Sequence, residues 1–347
     1  MLKNVERSDF MSLVNAKCTN CGKNIIVNNE KDATICEYCG SAFVVEKAIN
    51  NYNTNNSIKS NDLDDFIIRA GVLEKYVGVS TSVTIPNTVT FIGDRAFSEC
   101  FGLTNVVIPK SVNKIGAAVF RKCTSLTSII IPNSVSEIGV SAFSECTGLT
   151  NVTIPNSVTQ IYSAAFKGCT ALNDIKLPNS IEKIHGSTFS GCTSLKRIEI
   201  PQSVTEIDGS AFWGCKSLQS INISNSVTKI GNDAFRYCYE LKSIEIPNGV
   251  TKIGFGAFSQ SGLTSINIPK SVVEIGQNAF KDCNDLVDVK GKVCVDWFKD
   301  TPFYENYQNY LANQNMWISN NLCRYCGGKF KGLMTKKCSE CGKPKDY

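Results

Sequence analysis

Apolar residues recur along the middle of the chain in a 23-residue unit. Residues 123–145 read CTSLTSIIIPNSVSEIGVSAFSE, and residues 146–168 read CTGLTNVTIPNSVTQIYSAAFKG. The same frame runs from about residue 77 to residue 282, with polar residues between the apolar positions. One unit is too small to bury its own apolar face, so neighbouring units must stack and share a continuous core.

The length of the unit predicts the fold class. Repeats of about 20–29 residues are typical of leucine-rich-repeat solenoids. We therefore expect a right-handed solenoid of short parallel β-strands, turns and short helical segments, flanked by two small zinc ribbons. Such a chain usually offers a binding surface and is seldom a catalyst.

Each repeat, numbered from its Cys, follows the consensus C-x-x-L-x-x-I-x-I-P-N-S-V-x-x-I-G-x-x-A-F-x-x. Alternation at positions 7 and 9 predicts a short strand, which the proline at position 10 ends. The apolar residues at positions 13 and 16 return to the core and indicate a second short strand. Positions 20 and 21 are expected on a helical turn. Nine strands spaced ~4.8 Å apart would form a parallel sheet roughly 40–45 Å long.

One phenylalanine per repeat, at position 21, supplies a large core side chain. Each buried phenylalanine stabilises the fold by roughly 2–3 kcal/mol. The nine residues are Phe97, Phe120, Phe143, Phe166, Phe189, Phe212, Phe235, Phe258 and Phe280.

These repeats closely resemble the BspA-type (Treponema pallidum-type) leucine-rich repeats, whose unit is C-x-x-L-x-x-I-x-I-P-x-x-V-x-x-I-G-x-x-A-F. The resemblance covers about residues 66–307. It implies a solenoid that binds host or partner proteins, since family members are often secreted or attached to the surface. The chain departs from that pattern because its first residues, MLKNVERSDFMSLVNAKC, lack the apolar core of a signal peptide, and because cysteine pairs are added at both ends.

Eight of the 17 cysteines form four C-x-x-C-G units, two near each end. Two intervening residues let both thiolates reach one tetrahedral metal, and the glycine lets the turn close. The matched pairs predict two structural four-cysteine zinc sites. Buried free thiols would show no fixed spacing, and no βαβ unit typical of a thioredoxin-type redox motif surrounds the pairs. The predicted ligands are Cys18, Cys21, Cys36 and Cys39 at one end and Cys323, Cys326, Cys338 and Cys341 at the other.

Composition shifts along the chain predict the domain boundaries. An Asn/Ser-rich stretch reads as a flexible linker, and two apolar runs after it read as a hairpin that covers the first repeat. The predicted segments are the N-terminal ribbon (14–47), the linker (48–61), the capping hairpin (62–76), about nine leucine-rich repeats (77–286), a C-terminal cap (287–318) and the C-terminal ribbon (319–347).

The formal net charge of +5 falls close to neutrality once the zinc sites are counted. A four-thiolate zinc site carries a charge of about −2, so two sites leave about +1 (5 − 4). A protein steered to nucleic acid by its overall charge is not indicated. Residues 323–347 hold seven Lys/Arg against two acids, so nucleic-acid contact through this basic ribbon stays an alternative to a merely solvated surface.

Seven further cysteines fall one per repeat between Cys100 and Cys238 and would stack about 5 Å apart. A metal or disulfide ladder is one interpretation of this column. Core packing is the favoured one, because Val77 and Ser261 occupy the same place in other repeats.

Three successive repeats replace the usual glycine at position 17, with Tyr162, His185 and Asp208. Stacked in register, these side chains would place the only histidine between a phenol and a carboxylate. They could form a small polar site. The alternative is neutral variation on a surface turn that does not require positive φ.

The outward positions 6 and 8 of the first strand carry small polar residues in most repeats. Two neighbouring repeats carry charges instead: Asp174 with Lys176, and Arg197 with Glu199. A partner docking on the sheet would be selected by these charges. The alternative is that the four charges pair with one another across the strands.

These patterns predict a non-catalytic scaffold for protein–protein interaction, with the ribbons as accessory modules. The chain has one histidine, no nucleophile–base pairing and no phosphate-binding glycine motif. We expect a protein partner, two structural zinc ions, no small-molecule substrate, no membrane contact and a location in the cytoplasm. The alternatives are a surface adhesin exported without a recognisable signal and a protein that acts on nucleic acid through the C-terminal ribbon.

Overall fold

The computed structural model describes residues 65–291, residues 298–319 and four short strands before residue 65. These strands are Leu13–Lys17 (β1), Asn24–Asn28 (β2), Ala33–Ile35 (β3) and Ala42–Val44 (β4). β1 pairs with β2 and β3 pairs with β4, both antiparallel. The predicted linker at 48–61, the eight predicted zinc ligands and residues 320–347 lie outside the described residues.

A hairpin covers the first repeat, at the place where the sequence predicts one. β5 (Phe66–Arg69) and β6 (Val72–Tyr76) pair antiparallel. β6 then pairs in parallel with β8 (Phe91–Ile92) of the first repeat. The Tyr76 ring stacks on Phe97 with a centroid distance of 5.2 Å. One end of the core is thereby shielded from solvent and from other chains.

Positions 15 and 16 form the second strand row, in which the isoleucine points inward. After β8, its strands are Lys114–Ile115 (β10), Glu137–Ile138 (β12), Gln160–Ile161 (β14), Lys183–Ile184 (β15), Glu206–Ile207 (β17), Lys229–Ile230 (β19), Lys252–Ile253 (β20) and Glu274–Ile275 (β22). They form a six-stranded sheet from β5 to β14 and a five-stranded sheet from β15 to β22. The predicted second short strand is confirmed.

Positions 6 to 8 form the first strand row. Its strands are Ser82–Thr84 (β7), Asn105–Val107 (β9), Ser128–Ile130 (β11), Asn151–Thr153 (β13), Arg197–Glu199 (β16), Ser220–Asn222 (β18), Ser265–Ile268 (β21) and Asp288–Gly291 (β23). They pair only two by two, as β7–β9, β11–β13, β16–β18 and β21–β23, all parallel. The expected single long sheet is therefore wrong. A three-residue strand that ends before a proline offers few ladder bonds.

The corner at positions 17 to 23 is a series of turns, and the helical turn expected there is wrong. Positions 19 and 23 have positive φ, as in Arg95 (61°) and Glu99 (65°). The N–H groups at positions 19, 21 and 23 donate to carbonyls of the next repeat: Arg95 to Ala117 at 2.8 Å, Phe97 to Val119 at 2.9 Å and Glu99 to Arg121 at 2.7 Å. The positive φ values at positions 19 and 23 accompany these three bonds, which run from one repeat to the next along the solenoid axis. We call this the corner ladder.

The phenylalanines of position 21 form one stacked column through the core. All nine are fully buried, and neighbouring ring centroids lie between 5.2 Å (Phe97 to Phe120) and 5.7 Å (Phe166 to Phe189). Tyr76 extends the column at the N-terminal end. Packed rings contribute both buried area and favourable ring contacts, so the column holds consecutive repeats in register.

The repeat cysteines are part of the core, as the core-packing interpretation predicts. Each buried thiol donates to the carbonyl of the phenylalanine 25 or 26 residues earlier in the chain, for example Cys169 Sγ to Phe143 O at 3.1 Å. Burial raises the pKa of the Cys146 and Cys192 thiols to about 12. Val77 is half exposed, so it is not a buried substitute for these cysteines. Thiols with such pKa values are neutral and unreactive.

The C-terminal end of the column is covered by residues beyond the last repeat. Phe298 is fully buried and stacks on Phe280 at 4.6 Å. Helix α1 (Pro302–Ser319) follows, and the hydroxyl of Thr301 accepts a hydrogen bond from Tyr304 N at 3.3 Å. This is a helix N-cap with proline at the first helical position. The covering residues fall within the segment 287–318 where the sequence predicts a cap.

Removing one ring from the column should be costly. Phe166→Ala should lower the free energy of unfolding by about 3–5 kcal/mol, because it leaves a cavity between two packed rings. The matched control is Phe101→Ala, since Phe101 is 54% exposed, and a surface change of this kind should alter stability by about 0.5 kcal/mol or less. Urea denaturation measures both, and equal effects would contradict the packing role.

The buried thiols should be protected from alkylation in the folded chain. We expect iodoacetamide to modify Cys146, Cys169 and Cys192 only after denaturation, and peptide mass spectrometry resolves each site. Because folding raises these pKa values above the ordinary 9.0, the unfolded chain loses thiol protons first. The free energy of unfolding should therefore fall as the pH rises above about 9. Rapid native labelling of Cys169 would contradict the burial.

Candidate functional site

Both strand rows are interrupted at the repeat that begins with Cys169. The second row ends one sheet at β14 and starts another at β15. In the first row, residues 174–177 belong to no strand, and within the described part of the chain their backbone groups form no hydrogen bond. The widest ring spacing of the phenylalanine column, 5.7 Å between Phe166 and Phe189, falls at the same place. The backbone ladders of both strand rows are therefore broken at this repeat, and we call this place the interruption.

The corner ladder continues across this interruption. Ala164 N donates to Gly186 O at 2.9 Å, and Gly168 N donates to Ser190 O at 2.7 Å. Phe166 N, between them, donates to the next repeat at 2.9 Å. The two halves of the solenoid are thus joined by backbone hydrogen bonds at the corner.

A groove of about 710 Å³ lies on the first strand row beside the interruption. Its floor is formed by buried isoleucines, among them Ile175 and Ile198. The four charged residues that the sequence singles out all line it, and all are exposed: Asp174, Lys176, Arg197 and Glu199. The structure therefore brings the predicted partner-binding charges together in one groove.

The four charges of the groove are not paired with one another. Within the described residues, no salt bridge or side-chain hydrogen bond involves Asp174, Lys176, Arg197 or Glu199. The second strand row behaves differently, since its charges at position 15 pair between neighbouring repeats. Those pairs are Lys114 with Glu137 at 2.8 Å, Lys183 with Glu206 at 3.0 Å and Lys252 with Glu274 at 2.7 Å. The groove thus presents charges that are free to meet a partner.

Sequence reasoning missed one charged residue of the groove, Glu245. It stands at position 8 of the repeat that begins with Cys238, the same outward position as Lys176 and Glu199, and its charge at that position was the available signal. It is exposed and joins Asn267 through an isolated parallel bridge of the backbone. With Glu245 included, the groove carries three acids and two bases.

Tyr162, His185 and Asp208 stack at position 17, as the register predicts. The rings of Tyr162 and His185 lie 5.8 Å apart. Asp208 is held by Lys183 Nζ at 3.2 Å. Burial lowers the pKa of His185, Asp208 raises it and Lys183 lowers it. The histidine is therefore held mainly neutral near pH 7, and the carboxylate beside it is already paired with a lysine.

The glycine usual at position 17 does not have positive φ. This agrees with the alternative interpretation, in which the turn accepts residues other than glycine. Its role is close approach: a Cβ on Gly139 would overlap the carbonyl group of Gly116, and a Cβ on Gly231 would overlap the backbone of Asp208. Glycine is therefore favoured by the tight spacing of neighbouring repeats. Tyr162, His185 and Asp208, which replace this glycine, stand in consecutive repeats on either side of the break between β14 and β15.

The described residues contain no group of three or more His, Cys, Asp or Glu side chains that could hold a metal ion. The predicted ligands, from Cys18 to Cys341, are not among these residues. The zinc prediction is therefore untested by the geometry. None of the helical segments in the described part of the chain has the length and apolarity that a membrane span requires.

Two solved structures are similar to this chain over most of its length. A leucine rich cell surface protein from Faecalibacterium prausnitzii is 33% identical, with a TM-score of 0.52, covering 65% of this chain and 74% of the other. A leucine-rich repeat protein from Bacteroides ovatus is 25% identical, with a TM-score of 0.56, covering 84% of this chain and 80% of the other. A search of curated proteins finds no match.

The repeat pattern itself matches a known family. The BspA type leucine rich repeat region matches in six copies, over residues 75–181 and 159–287. These matches cover more than half of the chain and coincide with the repeats of the solenoid. The chain belongs to the family of proteins with BspA-type leucine-rich repeats.

Proposed function

We propose that the chain is a non-catalytic scaffold that binds a protein partner in the groove of the first strand row. The observation that carries the proposal is the set of unpaired charges at Asp174, Lys176, Arg197 and Glu199, grouped beside the interruption of the strand rows. Leucine-rich-repeat solenoids commonly use such extended surfaces for binding.

The arrangement of the charges favours a protein over a small molecule. The groove spans four repeats, and its charges stand on an apolar floor of isoleucines. An acid and a base stand two residues apart in each of the two repeats, Asp174 with Lys176 and Arg197 with Glu199, and their order is reversed between the repeats. A partner must therefore carry a matching pattern to avoid burying an unpaired charge. Patterns of this kind set the choice of partner more than the affinity.

The second polar cluster supports a non-catalytic role. His185 lies against the Tyr162 ring, and the carboxylate of Asp208 is held by Lys183. A general base needs an orienting partner and a reacting group within hydrogen-bond reach. The described geometry gives His185 neither, so we assign Tyr162, His185 and Asp208 to the surface of the scaffold.

The groove can be tested by reversing its charges without changing the net charge. The variant Arg197→Glu with Glu199→Arg should reduce partner capture from the native cell extract at least about tenfold, since each contact would become repulsive. The matched control is Asp288→Lys with Lys290→Asp, which exchanges the same positions of the last repeat, where the two residues pair at 3.0 Å.

Quantitative mass spectrometry of the captured proteins measures the effect. A partner lost with the groove variant and kept with the control would support the proposal. Identical protein sets from the wild type, the groove variant and the control would contradict it. Circular dichroism of each variant shows whether the fold is retained.

We also propose two structural zinc sites, each held by four cysteines. In chain order, the pair Cys18 and Cys21 falls between β1 and β2, and the pair Cys36 and Cys39 falls between β3 and β4. Two antiparallel hairpins, each with a C-x-x-C pair between its strands, fit the donor set of a structural zinc site. The proposal for Cys323, Cys326, Cys338 and Cys341 rests on the same spacing.

Metal analysis of the purified chain should return about two zinc ions per molecule, because each closed site takes one. Replacing Cys36 and Cys39 with serine should reduce this to about one. If the chain is produced in zinc-supplemented medium and the purified protein still contains no zinc, the proposal is contradicted. Replacing the buried core residues Cys146 and Cys169 is the control and should leave the zinc content unchanged.

A second candidate function, a surface protein that binds host proteins, is favoured by one observation. The similar structure from Faecalibacterium prausnitzii is described as a leucine rich cell surface protein. Labelling intact cells with a membrane-impermeant biotin reagent separates this candidate from a partner-binding scaffold in the cytoplasm. Labelled chain on intact cells would support the surface role, and chain protected until lysis would support the cytoplasmic one.

A further inference from the structure

One repeat of the solenoid is a residue short. Two residues separate the Cys and Leu of a full repeat, but Gly262 alone separates Ser261 from Leu263. The missing residue falls at the end of the corner, on a different side from the groove of the first strand row. Its absence changes the backbone bonding of the neighbouring repeat.

In three of the full repeats, the N–H group at position 3 bonds back to the carbonyl at position 2 of the preceding repeat. Examples are Ser217 to Thr193 and Glu240 to Lys216, both at 3.2 Å. In the short repeat, Gly262 N donates instead to Cys238 O at 3.0 Å. The carbonyl of Tyr239 is left without a hydrogen bond among the described residues. Tyr239 is exposed, so this carbonyl is an acceptor open to a donor from outside the chain.

The missing residue leaves a notch of about 520 Å³ between the repeats on either side of it. Tyr239, whose side chain is 45% exposed, forms one side. Gly262 lies in the floor, where a Cβ would overlap the Tyr239 carbonyl oxygen. The opposite side carries planar polar groups: Gln260, Asp282, Asn284 and Asp285. The volume is that of a small-ligand site rather than of a single bound ion.

The aromatic side of the notch continues onto the neighbouring repeats. Tyr237 lies 6.1 Å from Tyr239 and 5.3 Å from Trp213, in tilted and edge-on contacts. Tyr237 is fixed by Arg236, whose guanidinium lies over its ring at 4.8 Å and is itself paired with Asp233 at 3.3 Å. Trp213, 40% exposed, does not line the notch but extends this row of aromatic rings away from it.

The polar groups of the notch fit a neutral ligand better than a cation. Gln260 Nε2 already donates to Asp282 Oδ2 at 3.3 Å, and Lys242 Nζ lies 3.6 Å from Asp285 Oδ2. Both carboxylates therefore have donors from the chain itself. The remaining acceptors and the amide N–H groups suit hydroxyl groups, which both donate and accept. An exposed aromatic ring offers an apolar face against which a sugar ring can pack.

We propose that this notch binds a neutral saccharide, with the sugar ring packed on Tyr239 and its hydroxyl groups bonded to the Tyr239 carbonyl, Asp282 and Asn284. Trp213 provides a platform for a further sugar unit along the solenoid. The site is separate from the protein-binding groove and stands or falls independently of it.

The test uses the full chain and a panel of neutral trisaccharides of glucose, galactose, mannose and N-acetylglucosamine. Isothermal titration calorimetry and saturation-transfer NMR measure binding directly. At least one trisaccharide should bind with a Kd of about 1 mM or tighter. Tyr239→Ala should weaken that binding at least about tenfold. The matched control, Phe101→Ala, removes an exposed ring from the same position of a full-length repeat and should leave binding unchanged.

A second variant tests the notch itself. Inserting one threonine between Ser261 and Gly262 restores the full repeat length, should fill the notch and should abolish binding. Amide NMR spectra show whether the solenoid is retained, and Tyr239→Ala keeps the test decisive if the insertion unfolds the chain. Absence of binding by the whole panel, or equal binding by the Tyr239 and Phe101 variants, would overturn the proposal. Salt-sensitive binding of a lysine-rich or arginine-rich peptide at Tyr239, without saccharide binding, would assign the notch to cations and would also overturn it.

Discussion

The structure depends on one constraint: no repeat can bury its apolar face alone, so every repeat must be held against its neighbours. Two features satisfy this constraint along the described solenoid. The phenylalanine column, closed by Tyr76 and Phe298, supplies the shared apolar core. The corner ladder supplies three backbone hydrogen bonds at each junction between repeats, including the one after Phe166 where both strand rows stop. The strands are therefore the less essential part of this solenoid.

Much of the fold follows from the sequence, because the buried positions are apolar and recur at the same place in every repeat. The phenylalanines, the inward isoleucines and the capping hairpin stand where apolar periodicity puts them. The conformation of the corner does not follow from the sequence, because an Ala-Phe pair between polar residues suits a helical turn and a series of tight turns equally well. The positive φ values could not be predicted either, because residues other than glycine, such as Arg95, Lys122 and Tyr237, take the left-handed conformation. Neighbouring repeats impose that conformation, and a single repeat does not reveal it.

The candidate sites were predictable to different degrees. The charges of the groove stand out because Asp174 and Arg197 replace small polar residues at a position known to face outward. The notch was visible in the sequence only as a repeat one residue short. The chemical effect of the missing residue depends on which backbone carbonyl lacks a hydrogen-bond donor, and this is set by the hydrogen bonds between repeats. Departures from a repeat can thus be located by sequence, while their chemical consequence requires the stacked structure.

The interruption at the Cys169 repeat has a mechanical consequence. On the corner side, three backbone hydrogen bonds resist any separation of the two halves. On the strand side, residues 174–177 contribute none, and among the described residues the junction is crossed only beyond them, by Asn179 N to Asn156 Oδ1 and by Ser180 Oγ to Val158 O. The junction is therefore held more by its corner than by its strands. All residues that line the groove belong to repeats on the C-terminal side of this junction. A small change of angle at the junction would therefore move the whole groove relative to the first four repeats.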